Sequence, residues 1–495
     1  MGQESSQVEG SVVVAPGAIA GVGPADGAVA LPRTLGLALT RPRVTLAPNA
    51  GRVALATLIL GALSVVLVAT AGPTVLVPRS NAAFPNWEAG PMHRLFGQLL
   101  LLHDPKALSI GFSVVVAAMT AAYGVALASV RNLTTRAIVV AVIALHAILL
   151  LAPPLQLTDV FNYLGYARLG GLHHFNPYTH VIASELHDPV YRFTTWHHLR
   201  SPYGQLFTAA SYLLAFVSLP VAYWLLKVVT VLLSLVFLGL VWRCAQQLGR
   251  DPRFVIVFVA LNPIYLMYAI AGFHNDFLML IPSTGAILLM LSGRDRWAGA
   301  ALMVAITVKF TAVLLLPFLL IAAPPARRRL RILQGAAVAA VPLLALILAL
   351  FGFSLPNLSD QSTLLTNFSI PNVVGDLLGL GGGTPGMLRA ANIALGLTVL
   401  YHVYRRREWL AGAGWSTFAL IASLAWLVPW YVIWLLPLAA LATNVRLRRA
   451  AIGMTIYLVL AFVPAVGMFL SAHGINTMSG AAGQASMSRQ HKLAQ

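Results

Sequence analysis

The sequence predicts an all-α integral-membrane protein, a multi-pass helical bundle of about eleven crossings with short re-entrant hairpins. Three observations predict it. Of 495 residues, 59% are hydrophobic and 9% charged, against about 25% charged in a soluble domain. So little charge cannot cover a water-facing surface, so lipid must be most of the solvent. Many apolar runs reach the roughly 20 residues a spanning helix needs, rich in Leu, Ala, Val and Ile without the strict alternation of a membrane β-barrel. Finally, most Lys and Arg sit in the N-terminal region or in short basic connectors, the positive-inside pattern. That placement also argues against nucleic acid as the partner for a net charge of +18.

Residues 1–50 are Gly, Ala, Val and Pro-rich and read as a disordered cytoplasmic tail. A polytopic domain follows over 51–472, and 473–495 read as a disordered C-terminal tail on the external side. Apolar segments lie at about 53–77, 109–129, 137–155, 206–242, 254–271, 276–291, 298–323, 332–351, 389–404, 409–428, 430–444 and 450–470. The connectors at Arg243/Arg250/Arg253, Arg294/Arg296, Arg327–Arg331, Arg405–Arg407 and Arg446–Arg449 go inside. Segment 206–242 is too long for one helix and contains Pro220, so it divides into a short helix at 206–219 and a crossing at 222–242. Segment 298–323 has basic flanks on both ends. A hairpin with Lys309-Phe310-Thr311 at its tip keeps both inside, and such breaks are tolerated where they line a protein cavity. The large outside loops are then 78–108, 156–205 and 352–388, with a short outside turn at 272–275 and a flexible stretch at Gly381–Gly383. Cys244 is the only cysteine, so no internal disulfide exists, and a structural role is expected for it.

The 14 carboxylates can be sorted by position. Asp251, Asp295 and Glu408 lie in cytoplasmic connectors and read as solvated charge. Outside are Glu88, Asp104, Asp159, Glu185, Asp188, Asp276, Asp360 and Asp376. None falls mid-span, which weakens a proton-coupled transporter. Asp159, at the outer end of a span after Pro153-Pro154, suits a general base. It equally suits a helix N-cap after Thr158, and spacing leaves both open. Asp276, in His274-Asn275-Asp276, has the same two readings, with the cap favoured. Lys227 and Lys309 are isolated bases in apolar segments. Each suits a lipid phosphate or, for Lys227 above all, snorkelling to the headgroups. Arg200 adds external positive charge. The loop's histidines, His173, His174, His180, His187, His197 and His198, lack a tight metal motif, and there is no D-x-D. Polar packing or sugar hydrogen bonding is the favoured reading, no cofactor is expected, and a metal is disfavoured rather than excluded. Tyr163, Tyr166, Tyr178, Tyr191, Trp196 and Tyr203 suit sugar stacking or an interfacial aromatic belt.

Asp159-Val160-Phe161-x-Tyr163, Asn176-Pro177-Tyr178, Trp196 with Ser201-Pro202-Tyr203-Gly204, Asn262-Pro263, His274-Asn275-Asp276-Phe277-Leu278-Met279, Lys309 with Pro317-Phe318, and Pro429-Trp430-Tyr431-x-x-Trp434-x-x-Pro437 occur in one order over about 155–440. In that order the chain resembles the GT-C superfamily of polytopic glycosyltransferases. Within it the resemblance is to the bacterial polyprenol-phosphate-mannose-dependent α-(1→6)-mannosyltransferases of actinobacterial lipoglycan synthesis. Gln205 stands where that family has proline, and Asn176 where it has aspartate. The resemblance implies a GT-C-type bundle with an extracytoplasmic catalytic loop in the cell membrane. It implies metal-independent, inverting transfer of mannose from a polyprenyl phosphate to an external glycan or glycolipid. Asp159 would be the general base. Asp276, His274, Asn275, Tyr163, Tyr178, Trp196, Tyr203, Trp430 and Tyr431 would bind donor or acceptor, and Lys309, Lys227 and Arg200 would hold phosphate. Short cytoplasmic connectors leave no room for a nucleotide-sugar site, which independently favours a lipid-linked donor. The alternatives are a transferase for another lipid-linked sugar, glucose or arabinofuranose, and, from another class, a transporter or lipid flippase. The latter predicts two related halves, and no internal repeat is visible.

Overall fold

The computed structural model describes residues 47–77, 84–93, 95, 103–156, 159–356, 363–406 and 408–494. The expected tail therefore lies outside the described residues up to position 46, as do Thr158, Asp360 and Arg407. All regular structure among the described residues is helical. In order, the main helices are α1 (Ala50–Thr70), α2 (Pro105–Ala128), α3 (Thr135–Leu150), α4 (Asp159–Gly171), α5 (Gln205–Ser211), α6 (Leu219–Gln247), α7 (Pro252–Ala260), α8 (Asp276–Leu291), α9 (Asp295–Val308) and α10 (Leu316–Ala322). There follow α11 (Ala326–Phe351), α12 (Ile370–Leu377), α13 (Pro385–Arg405), α14 (Trp409–Ser423), α15 (Val432–Leu441), α16 (Val445–Phe462), α17 (Pro464–Ala472) and α18 (Ala481–Ala494).

Among the described residues, four helices, α1, α2, α6 and α11, are individually long and apolar enough to cross a membrane. The α16–α17 pair, bent by 61°, makes a fifth if it counts as one span. Most of the other apolar segments are shorter or broken, whereas α13 is an unbroken 21-residue helix that is less apolar. At 254–271, expected as one crossing, Pro263 has no N–H to give. The Asn262 side chain instead accepts from the Ile264 N–H at 3.0 Å, and the chain continues as a wide π-turn over Tyr265–Ile270. The 206–242 segment divides as expected, a short helix running into a 3-10 turn to Phe216 before α6 begins beside Pro220.

The hairpin at 298–323 is present. Arg328 binds Asp295 at 2.8 Å, so its two basic flanks meet at one end. Lys309, extended between α9 and the next 3-10 turn, meets Asp276 at the other. Connectors gather the same way. Arg250 donates to the Leu441 carbonyl, Arg253 to Leu133, and Thr443 to Glu408. One of these carboxylates corrects the expectation of solvated charge: Asp295 is buried under Arg328, whereas Glu408 stays partly exposed while tying two connectors together.

Two further expectations are corrected. Gly381–Gly383 is a pinned turn, the Gly382 N–H donating to Asp376 at 2.7 Å. Residues 473–495, expected to be unstructured, form α18 over Ala481–Ala494, which packs against residues of two of the large loops, 156–205 and 352–388. Tertiary contacts overrule a weakly patterned local sequence there.

Candidate active site

The ends of α4, α8, α9 and α15 converge on a cavity of about 320 Å³. Asp159 opens α4 and Asp276 opens α8, and both line it. The N-cap reading fails for Asp276. The cap residue is Asn275, and the Asp276 carboxylate turns away to accept from Lys309 Nζ and Trp434 Nε1, each at 2.6 Å on Oδ1. Its Oδ2 is buried without a hydrogen-bond partner. Lys309 also lies over the Trp434 and Tyr431 rings at 4.6 and 5.0 Å. A lysine carries three donors, so the bond to Asp276 leaves two.

Behind Asp159 is the turn that carries His274. The His274 ring stacks on Trp430 at 3.7 Å and directs Nδ1 to Tyr163 Oη at 3.4 Å and to Asp159 Oδ2 at 3.5 Å. The Asn275 N–H donates to the same Tyr163 oxygen at 3.4 Å. Burial, and then the Lys309 ammonium, hold the His274 imidazole well below its ordinary range, so it is neutral at physiological pH. Burial, and then the Asp276 carboxylate, push Asp159 up to about 6, with Lys309 opposing. A carboxylate so raised is still mostly ionised near neutrality and is a better base than a solvated one. Asp159 remains 21% exposed, open to a reactant.

The rest of the wall is aromatic. Tyr163, Tyr166, Tyr203, Trp196, Trp426, Trp430 and Tyr431 line the cavity with Gln156, Thr195, Leu199, Pro202, Asn275, Leu364 and Val428. Asn162 holds the loop from behind, its Oδ1 accepting from the Thr195 and Trp196 amides at 3.0 and 3.4 Å. Gly204 is required by a close approach, because a Cβ there would strike the Val308 carbonyl beside Lys309.

Four residues expected to bind substrate do not line the cavity, one of them His274, fully buried behind Asp159. Lys227 is fully buried in α6 with its ammonium 3.7 Å from the Trp224 ring centroid, and it does not border the cavity. Arg200 points into solvent although Leu199 and Pro202 on either side line the wall. Tyr178 acts beneath the site, donating to the Tyr203 carbonyl and Thr208 at 3.0 and 2.9 Å. The loop histidines serve packing. His173 and Arg168 both bind Asp188, at 2.7 and 2.8 Å, and His197 stacks on Tyr191. Burial raises the Asp188 carboxyl, but those two hydrogen bonds outweigh it and hold it below its ordinary value. Trp434 and Trp426 were missed as site residues. Trp434 had a signal, since it stands four residues after Trp430 and three after Tyr431, on one helix face. Trp426 had none.

A cleft of different character adjoins the cavity. It is lined mainly by apolar residues, among them Met279, Leu280, Ile287, Leu315, Leu420 and Leu438, and it shares Trp434 with the Asp276 site.

A family model described as the alpha-(1->6)-mannopyranosyltransferase N-terminal domain matches residues 56–325, and one described as the MptB C-terminal domain matches 372–486. Alpha-(1->6)-mannopyranosyltransferase A of Mycobacterium tuberculosis is 28% identical over 362 residues, 64% of this chain and 67% of that protein. Alpha-(1->6)-mannopyranosyltransferase B of Corynebacterium glutamicum is 28% identical over 235 residues, 39% of each chain. The A protein of the same organism is 27% identical over 176 residues, so the match spans 35% of that relative's length. No solved structure matches the chain.

Proposed function

The chain belongs to the alpha-(1->6)-mannopyranosyltransferase family, and from that premise we propose that it transfers mannose, with inversion, from a polyprenyl-phosphate donor to an external glycan or glycolipid. The arrangement would be a GT-C-type bundle in the cell membrane, with about eleven crossings and the cavity on the extracytoplasmic face. One observation carries the reading. Asp159 and the Asp276–Lys309 pair face one cavity, and Trp434, bonded to Asp276, is also part of an apolar cleft. A glycan hydroxyl and the headgroup of an isoprenoid lipid can meet there.

In this mechanism Asp159 takes the proton from the acceptor hydroxyl as its oxygen attacks the anomeric carbon. The bond from that carbon to the phosphate oxygen breaks, and the departing lipid phosphate keeps the electron pair. Lys309 donates to the phosphate with the hydrogens not committed to Asp276, stabilising charge that grows only in the transition state. Asp276 borders the cavity and holds the Lys309 ammonium in place. A neutral His274 keeps Asp159 from being neutralised by an ion pair and fixes Tyr163 beside it. The aromatic wall stacks on sugar faces, and no cofactor takes part.

The test is transfer from radiolabelled polyprenyl-phosphate-mannose to a short α-mannoside, wild type against Asp159→Asn. Removing a general base should lower turnover by roughly 10²–10⁴-fold with the protein still folded. Full activity in the variant would remove the base assignment. No transfer by the wild type would point to another lipid-linked sugar.

A further inference from the structure

The C-terminal helix α18 reaches the cavity from behind on two sides. On one side it grips a single residue of the 352–388 loop. Ser486 Oγ accepts from the Leu365 N–H at 2.7 Å, and Gln490 Nε2 donates to the Leu365 carbonyl at 3.0 Å. These residues are four apart, hence on one helix face, and Gln490 also donates to Ser486 at 3.2 Å. Both backbone groups of Leu365 are thus satisfied by one helix. The next residue carries the brace onward. The Thr366 N–H donates to the Ala425 carbonyl at 3.0 Å, and its hydroxyl bonds Leu427. On the other side the Leu493 carbonyl accepts from the His198 N–H at 2.9 Å.

The gripped residues are neighbours of the cavity wall. Leu364 precedes Leu365, Trp426 lies between Ala425 and Leu427, and Leu199 follows His198; all three line the cavity. Trp426 in turn meets Trp196 edge to face at 5.7 Å. None of Leu364, Trp426, Trp196 or Leu199 borders the apolar cleft, whereas Trp434 on the Asp276 side does. Asp276 and Lys309 bond each other and Trp434, with Tyr431 beside Lys309, and none of the four wall residues. The wall's two tryptophans offer flat apolar faces suited to pyranose rings.

We infer that α18 is a positioning strap of the site, with Ser486 and Gln490 holding the Leu364–Trp426–Trp196 wall against which the acceptor glycan docks. The division into donor and acceptor sides rests on the function proposed above.

The experiment uses the full chain, comparing wild type, Ser486→Ala/Gln490→Ala and Ser486→Thr. The double variant should raise the acceptor KM about tenfold with donor KM unchanged. Ser486→Thr keeps the hydroxyl and should behave as wild type. Acceptor binding, titrated with a short α-mannoside and no donor, should weaken by the same factor in the double variant. Equal acceptor affinity in wild type and double variant would overturn the strap, whether or not mannose is transferred. So would a joint rise of both KM values with a fall in melting temperature, the mark of a general structural role. A wild type that binds the mannoside but transfers nothing from polyprenyl-phosphate-mannose would overturn the donor assignment alone.

Discussion

Two lysines sit in apolar segments beside the same end of the bundle, each near a carboxylate, yet their environments differ completely. Lys309 is 25% exposed, 2.6 Å from Asp276, on the cavity. Lys227 is fully buried among the rings of Trp224, Tyr223 and Phe273, at 3.7, 4.9 and 5.0 Å. Its ammonium has no hydrogen-bond partner, and the nearby Glu88 is buried with Oε2 unpartnered. Burial pushes the Glu88 carboxyl up to about 8, with Lys227 opposing. The first pair is open to a reactant. The second is a sealed cation–π cage, each ring worth about 0.5–2 kcal/mol, that locks α6 to the loop carrying Glu88 and to Phe273, next to His274. Of the two lysines, only Lys309 has its carboxylate partner on a cavity.

Breaking the open pair should have the largest effect. Lys309→Met is expected to lower kcat about 100-fold by removing charge stabilisation of the leaving phosphate, with the protein folded. Steady-state transfer assays check this, and unchanged kcat would transfer the phosphate role elsewhere. Trp434→Phe removes one hydrogen bond to a charged group, about 1.5–3 kcal/mol, so a loss of roughly tenfold or more in kcat/KM is expected. The closed pair should behave oppositely. Lys227→Met should leave kcat and donor KM within about threefold, because Lys227 does not border the cavity.

The smallest effect is a shift in pH dependence. Asp159 must be ionised to act, and its carboxyl is raised to about 6, so kcat/KM should fall as pH drops through about 6. Lys309 pulls Asp159 downward, so in Lys309→Met the acid limb should move to higher pH. A limb that stays put in the variant would show that some other group sets it.

Much of the site was legible because chain neighbours dictate it. Asp159, Tyr163, His274, Asn275, Trp430 and Tyr431 each stand in a short polar or aromatic break within apolar sequence, and a membrane tolerates such breaks only beside a protein cavity. The hairpin tip at Lys309 followed from charge alone, since both flanks are basic. The failures share a cause as well. Lys227 and Lys309 look alike in one dimension, and only packing of the Glu88 loop over α6 separates a caged cation from an open one. Arg200 could not be aimed, because a loop carries no period from which to read a side chain's direction.

The sequence by itself determined the class of protein, the position of many of its breaks and the carboxylate that opens α4. Those depend on composition and on neighbours within a few residues. Tertiary structure alone decided that Asp276 pairs with Lys309 and Trp434, that Lys227 is walled off, and that α18 folds back onto Leu365 and His198. Each of these joins residues distant in the chain through contacts whose partners no local pattern specifies.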